Sequence, residues 1–213
     1  MPESYTEEPA FVEDAEELEE TPKGVSRGLL GIALLVVVLF ATGLAGWWWV
    51  SNLKPASDSP EINFARDMSD HHAQAVDMAV KIRDRTTDPD LRIFALDIIL
   101  TQQNQIGQMQ GWLTVWQYPL AGAKSMMSNH GQMMGMATVE QVYALDTLPV
   151  AEAEIAFLQL MIRHHQGGVA MARTVLNQTT RPEVTRLANS IVVGQQSEIT
   201  YMKELLQKRG VTV

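Results

Sequence analysis

The chain contains no cysteine. That absence removes disulfides, thiolate metal sites and cysteine nucleophiles in whichever compartment the protein occupies, and any soft metal ligand must then be methionine. Familiar catalytic signatures are missing as well: there is no HExxH, P-loop, GxGxxG or GxSxG elbow. A carboxylate-bridged di-iron bundle needs inward glutamates and Glu-x-x-His pairs, and no Glu-x-x-His occurs. With no catalytic constellation to read, the expectation is a protein that is not an enzyme.

Positive charge is scarce too, with 16 Lys and Arg against 25 Asp and Glu and a net charge of −9 over 213 residues. The imbalance is local: residues 1–27 hold nine carboxylates against Lys23 and Arg27, leaving only −2 for the remainder. Nothing in this pattern suits a nucleic acid. The acidic stretch combines Pro2 and Pro9 with few large apolar residues, a composition that cannot offset its own ordering entropy. Residues 1–27 therefore read as a disordered tail, with Tyr5, Phe11, Val12 and Leu18 as anchors should a basic protein partner dock there.

Charge then vanishes from Gly28 to Val50, 23 positions that at about 1.5 Å per residue cross a hydrocarbon core of about 30 Å. Residues 28–50 are expected to form a single transmembrane helix contacting membrane lipid. Trp47, Trp48 and Trp49 close the run at headgroup level. Lys23 and Arg27 outweigh Lys54 across the segment, which by the positive-inside rule puts the tail in the cytoplasm and the following domain outside. A cleaved signal peptide, with Gly43-Leu44-Ala45 as its site, is the competing reading. The apolar run is longer than a usual signal core and a long acidic segment precedes it, so an uncleaved signal-anchor in the cell membrane is expected. Residues 51–59 form a linker, and 60–210 have the length for one folded domain with a real core.

That domain repeats itself at an offset of 93 residues without a gap. Phe64, Met68, His71, His72, Val76, Met78 and Ala79 recur as Phe157, Met161, His164, His165, Val169, Met171 and Ala172, with Ala75 matched by Gly168. Pro89, Gln102, Gln103, Met109 and Leu113 recur as Pro182, Gln195, Gln196, Met202 and Leu206. Within a unit the seam Phe64, Met68, His71, Ala75, Met78, Ile82 has the period of a helix. Ser59-Pro60 and Asp88-Pro89 supply helix starts. Each unit, 60–116 and 153–209, is therefore an αα-hairpin, and the pair makes an all-α duplicated four-helix bundle joined by a long loop, 118–149.

Adjacent helical residues point about 100° apart, so His71 faces the seam beside Met68 and Met78 while His72 faces a flank. Imidazole and thioether together suit copper, with sulfur favouring the cuprous state, although other transition metals accept the same donors. The plain alternative is a core in which methionine fills gaps and each histidine finds a partner. All five histidines lie in the two motifs or in the loop, which favours metal. Gln102 and Gln195 occupy seam positions and require polar partners, either as groups orienting the histidines or in bonds that set helix register. The loop adds Met126, Met127, His130, Met133, Met134 and Met136 as further candidate ligands or as an apolar plug. Asp67, Asp70 and Asp77 are matched by Leu160, Arg163 and Ala170, and read as solvated helix-face charges.

Met161-x-x-His164-His165-x-x-Gly168-Val169-x-Met171-Ala172, its first-half counterpart, the Gln-Gln pairs and Met134-Gly-Met136-Ala-Thr resemble the domain-of-unknown-function 305 family over roughly residues 60–210. The resemblance implies a ferritin-like four-helix bundle, exported or membrane-tethered, with copper-binding members. It carries over Met68, His71, His72, Met161, His164 and His165 as metal ligands. The expectation is an extracytoplasmic, membrane-anchored copper-binding protein for metal tolerance or delivery. The alternative is a non-catalytic interaction module docking onto a membrane complex, with structural histidines.

Overall fold

The computed structural model describes residues 27–121 and 134–211. The acidic tail and four of the candidate loop ligands, Met126, Met127, His130 and Met133, lie outside the described residues. The chain divides into two units, Met1–Val50 and Ser51–Val213. The described residues form six helices and no strand.

Helix α1 (Arg27–Leu53) dominates the first unit, and by length and composition its stretch Gly28–Trp49 can cross a membrane. The large apolar side chains there are exposed, Trp47, Trp48 and Trp49 among the most. Thr42 donates its hydroxyl to the carbonyls of Val38 and Leu39 at 2.9 and 3.0 Å, so the helix satisfies its own polar group, as an apolar surrounding requires. The helix ends at Leu53, three residues into the stretch read as linker.

In the second unit, α2 (Pro60–Arg85) and α3 (Pro89–Val115) start where the sequence says they should. Ser59 Oγ accepts from the Ile62 amide, Asp88 Oδ1 accepts from Asp90 and Leu91, and each helix opens on a proline that has no amide to leave unsatisfied. The matching pair is α5 (Val150–Leu176) and α6 (Pro182–Lys208). Between the pairs lies α4 (Val139–Thr147), held at its start by a reciprocal cap in which Thr138 Oγ1 accepts from the Gln141 amide and Gln141 Oε1 accepts from the Thr138 amide. The joining segment was expected as loop throughout; α4 is an addition to that reading.

Helix α2 packs on α3, α5 on α6, and α2 on α5, while α4 lies against α2 and α5. The central pair is antiparallel. Thr179, beyond the end of α5, donates to Glu61 at the start of α2 at 2.6 Å, and Thr86, beyond the end of α2, donates to Glu154 near the start of α5 at 2.5 Å. The four donors and acceptors are two pairs of positions 93 apart in the sequence.

The apolar core falls into two clusters. One gathers Met78, Ile82, Leu91, Ile98, Phe157 and Met161, and the other Ile62, Met68, Met109, Leu113, Met171 and Ile191. Burying one such side chain contributes about 1.5–3 kcal/mol. The four histidines of α2 and α5 are buried as well. A polar layer thus sits where the two central helices cross.

Candidate metal centre

Because the central helices run antiparallel, equivalent seam positions meet at one level. The rings of His71 and His164 stack with centroids 3.6 Å apart and planes 27° from parallel. His72 and His165 stand on the flanks, 6.2 and 6.3 Å from the ring preceding each in the chain. Their exposures are 2% for His71 and 0% for the other three, so every polar atom they carry must be satisfied inside the protein or cost free energy.

Each flanking histidine turns to the second helix of its own hairpin. His72 Nε2–H donates to Gln105 Oε1 and His165 Nε2–H donates to Glu198 Oε2, both at 2.6 Å. His71 Nε2–H donates to the Met134 carbonyl at 3.0 Å. An acceptor at Nε2 fixes the proton there, which leaves the lone pair of the neutral ring on Nδ1. This is how residues beyond a metal's own ligands orient imidazoles. The sequence reading assigned that part to Gln102 and Gln195; the observed acceptors are Gln105 and Glu198, three residues further along, together with a backbone carbonyl. Both Gln105 and Glu198 lie 33 residues after their histidine, which is the signal that could have found them.

The Met134 carbonyl is held in place by a strap, residues 134–137. Gly135 has φ +74°, a left-handed conformation glycine takes at little cost, and a side chain there would strike the Arg163 carbonyl of α5. From the other side, a side chain at Gly167 would strike the Met134 carbonyl. Gln74 on α2 grips Ala137 with two bonds, donating to its carbonyl at 2.9 Å and accepting from its amide at 2.8 Å. Two glycines and one glutamine therefore press the strap onto α2 and α5 beside the stacked rings.

Burial leaves a characteristic residue of unsatisfied atoms. The buried side-chain atoms without a partner are Nδ1 of His71, His72 and His165, both ring nitrogens of His164, and both amide atoms of Gln102 and Gln195. Among the described residues every such atom lies on one of these six side chains. Gln195 closes up against Gly168, where an added Cβ would meet its amide oxygen. Desolvation pushes His71 down to about 4, helped by the charge of His165 and opposed by its bond to Met134. Desolvation with the neighbouring His71 pushes His72 down to about 3, and His164 falls well below its ordinary value for the same reasons. All three rings are neutral at physiological pH, the state in which imidazole ligates metals.

The candidate thioethers are placed less simply. Met68 and Met161 are fully buried but lie in different apolar clusters, one on each side of the histidine layer. Met134 is half-buried against the cluster of Met68, and Met136 lines a surface groove with Asp70 and Tyr143. Among the described residues, no group of three or more His, Asp or Glu side chains already stands at the mutual spacing of a ligand set. Asp67 is half-buried on the outer face of α2, where burial, reinforced by Asp70 and opposed by Arg66, raises its carboxyl to about 6.

A helical bundle with four buried histidines between its central helices, three of them anchored through Nε2, defines the class of protein to which the chain is compared. The chain belongs to the DUF305 family: the model described as Domain of unknown function (DUF305) matches residues 61–206. Among solved structures it is similar to a DUF305 protein from Streptomyces coelicolor, described as secreted, at 46% identity and a TM-score of 0.69, covering 74% of this chain and 98% of that one. It is also similar to CopM in its Cu(II)-bound form, at 31% identity and a TM-score of 0.61, covering 70% and 97%. CopM has Cu(I)-bound and silver-bound forms as well. An uncharacterized protein of Acanthamoeba polyphaga mimivirus is 28% identical over 102 residues, a match spanning 47% of this chain and 66% of that relative.

Proposed function

We propose that the protein binds copper at the layer of His71, His72, His164 and His165, outside the cytoplasm and tethered by α1, in the service of metal tolerance or delivery. The observation that carries this reading is the confinement of the orphaned buried atoms to six side chains of one layer. Buried polar atoms without partners cost about 1–3 kcal/mol each, and nine of them gathered on these side chains form a donor-rich interior that a soft cation would relieve. Similarity to CopM, which has copper-bound forms, supports the choice of metal. Nδ1 of the four histidines supplies the nitrogen donors, and Met68 and Met161, about one turn before His71 and His164 on their helices, supply sulfur.

The test is metal titration of the full chain in detergent with Cu(I), Cu(II) and Zn(II). Stoichiometric copper should be retained through desalting, and His71→Ala and His164→Ala should each abolish most of it. Retention in both variants, with loss on changing Met126, His130 and Met133, would assign the metal to the loop.

A second reading rests on the absence, among the described residues, of a ready-spaced ligand group. In it the stacked histidines are structural and the bundle is an interaction module. Identical melting with and without copper would select it.

A further inference from the structure

The route by which a cation reaches a layer buried between two apolar clusters is set by the bundle's surface. One cavity, of about 330 Å³, opens between the first half of α2 and the last turns of α5 and is lined by Asp58, Asn63, Asp67, Met134, Met171 and Gln178 among others. We propose that this cavity is the entry port for a soft monovalent cation, Cu(I) or Ag(I), on its way to the histidines. The inference rests on the copper reading and adds a site to it.

Three observations carry it. Its lining combines two carboxylates with two thioethers, a set that attracts a cation by charge and holds it by sulfur without a full ligand cage. Asp67 lines the cavity and makes no hydrogen bond or ion pair among the described residues, with Arg66 acting on it only through space, so its oxygens are free to meet a cation. Finally, Met134 belongs to both places: it lines the cavity, and its carbonyl holds His71 Nε2 at 3.0 Å. A cation leaving the Met134 and Met171 sulfurs is therefore one residue from the stacked pair.

The opposite face argues by contrast. Positions matched to Asp58, Asn63 and Asp67 at the 93-residue offset are Ala151, Ala156 and Leu160. The groove that Ala156 and Leu160 line also carries Arg163 and is bordered by Gln141 and Ala144 of α4. Of the two matched faces, the one with the carboxylates is the one α4 does not border.

The test measures the rate at which the full chain in detergent withdraws Cu(I) from its coloured bicinchoninate complex, alongside the copper held at equilibrium. Asp67→Asn and Met171→Leu, each checked for unchanged helicity, should load about tenfold more slowly and still hold the wild-type amount. Gln159→Leu, in the groove on the other face, should load at the wild-type rate. Wild-type loading rates in both port variants would overturn the port and leave copper binding standing. Loss of equilibrium copper in either port variant would make the cavity part of the final site and also overturn it as a port. If the wild-type chain withdraws no Cu(I), the copper reading and the port fall together.

Discussion

The two hairpins hold their flanking histidines with different side chains, an amide at Gln105 and a carboxylate at Glu198. A carboxylate acceptor makes its imidazole the better donor, so the two halves of the layer are chemically unequal. Glu198→Ala should weaken copper binding by about 10- to 100-fold in a chelator competition, and Glu198→Gln by less because an acceptor remains. An unchanged affinity in the alanine variant would remove Glu198 from the site. Acidity bears on the same residues. Folded His71 and His72 titrate near 4 and 3 against 6.5 unfolded, and His164 moves the same way, so the unfolded chain binds more protons between pH 6.5 and about 4. Stability is then full above pH 6.5 and falls through that window at about 1.4 kcal/mol per pH unit for each ring. Asp67 works in the opposite direction, holding in the folded state up to about pH 6 a proton that the unfolded chain releases near 3.8, and Asp70 shifts likewise. The shifts of His71 and His72 each exceed that of Asp67, and His164 acts in the same direction as the other two rings. Urea midpoints of the metal-free protein should therefore drop steadily from pH 7 to pH 4.5, and a flat profile would mean the rings are not buried in their neutral form. The paired histidines were legible in the sequence because they recur at a fixed offset. Their acceptors were not, since the seam periodicity selects residues facing the axis, whereas His72 and His165 point about 100° away from it and meet α3 and α6 on their flanks.

Helices α2 and α3 announced themselves through proline at the first position, a capping residue before it and a seam of helical period, and α6 begins at Pro182, the match of Pro89, without a side-chain cap. Helix α4 did not announce itself, because nine residues present too few turns for a period to show. Its one local signal was Thr138-x-x-Gln141, a capping-box spacing that the methionines around it obscured. The strap before α4 was hidden for a different reason: it is defined by contacts, and Gly135 and Gly167 look like ordinary loop and helix glycines until the chain is folded. Those contacts are with backbone, which cannot swing aside as a side chain does. Gly167→Ala should therefore drive the Met134 carbonyl off its seat and break its bond to His71, leaving a sixth histidine nitrogen of the layer without a partner. The expected result is a loss of about 1–3 kcal/mol in stability and faster amide exchange at Ala137 and Thr138. Gly168→Ala, which meets only the movable amide of Gln195, should cost less. Equal effects of the two substitutions would show that the strap does not depend on the close approach at Gly167.

At the scale of the whole bundle, positions 93 apart perform matching tasks with different chemistry. Glu61 and Glu154 each accept from the threonine beyond the partner helix, so both ends of the central pair are pinned alike. Around these pins the ends diverge. At one, Arg209 donates to Asp88 at 2.5 Å and to Glu154 at 2.9–3.0 Å, tying the end of α6 to the starts of α3 and α5. At the other, the position matched to Arg209 is Trp116 and the one matched to Asp88 is Arg181, and the guanidinium lies 5.6 Å from the indole ring centre. Arg181 also pairs with Glu183 at 3.8 Å, so this end adds to its ion pairing a cation–π contact worth about 0.5–2 kcal/mol. The first end should be sensitive to loss of its arginine, because Glu154 is only 9% exposed and would be left with Thr86 as its remaining partner. Arg209→Ala should cost about 2–3 kcal/mol, which for a domain of this size lowers the melting temperature by about 4–12 °C. Adding Glu154→Gln to it should restore part of the loss, since the buried charge is then gone and an amide can still accept from Thr86. Thermal unfolding followed by circular dichroism distinguishes the outcomes: if the double variant melts no higher than Arg209→Ala alone, the arginine acts through its own packing and not by neutralising Glu154.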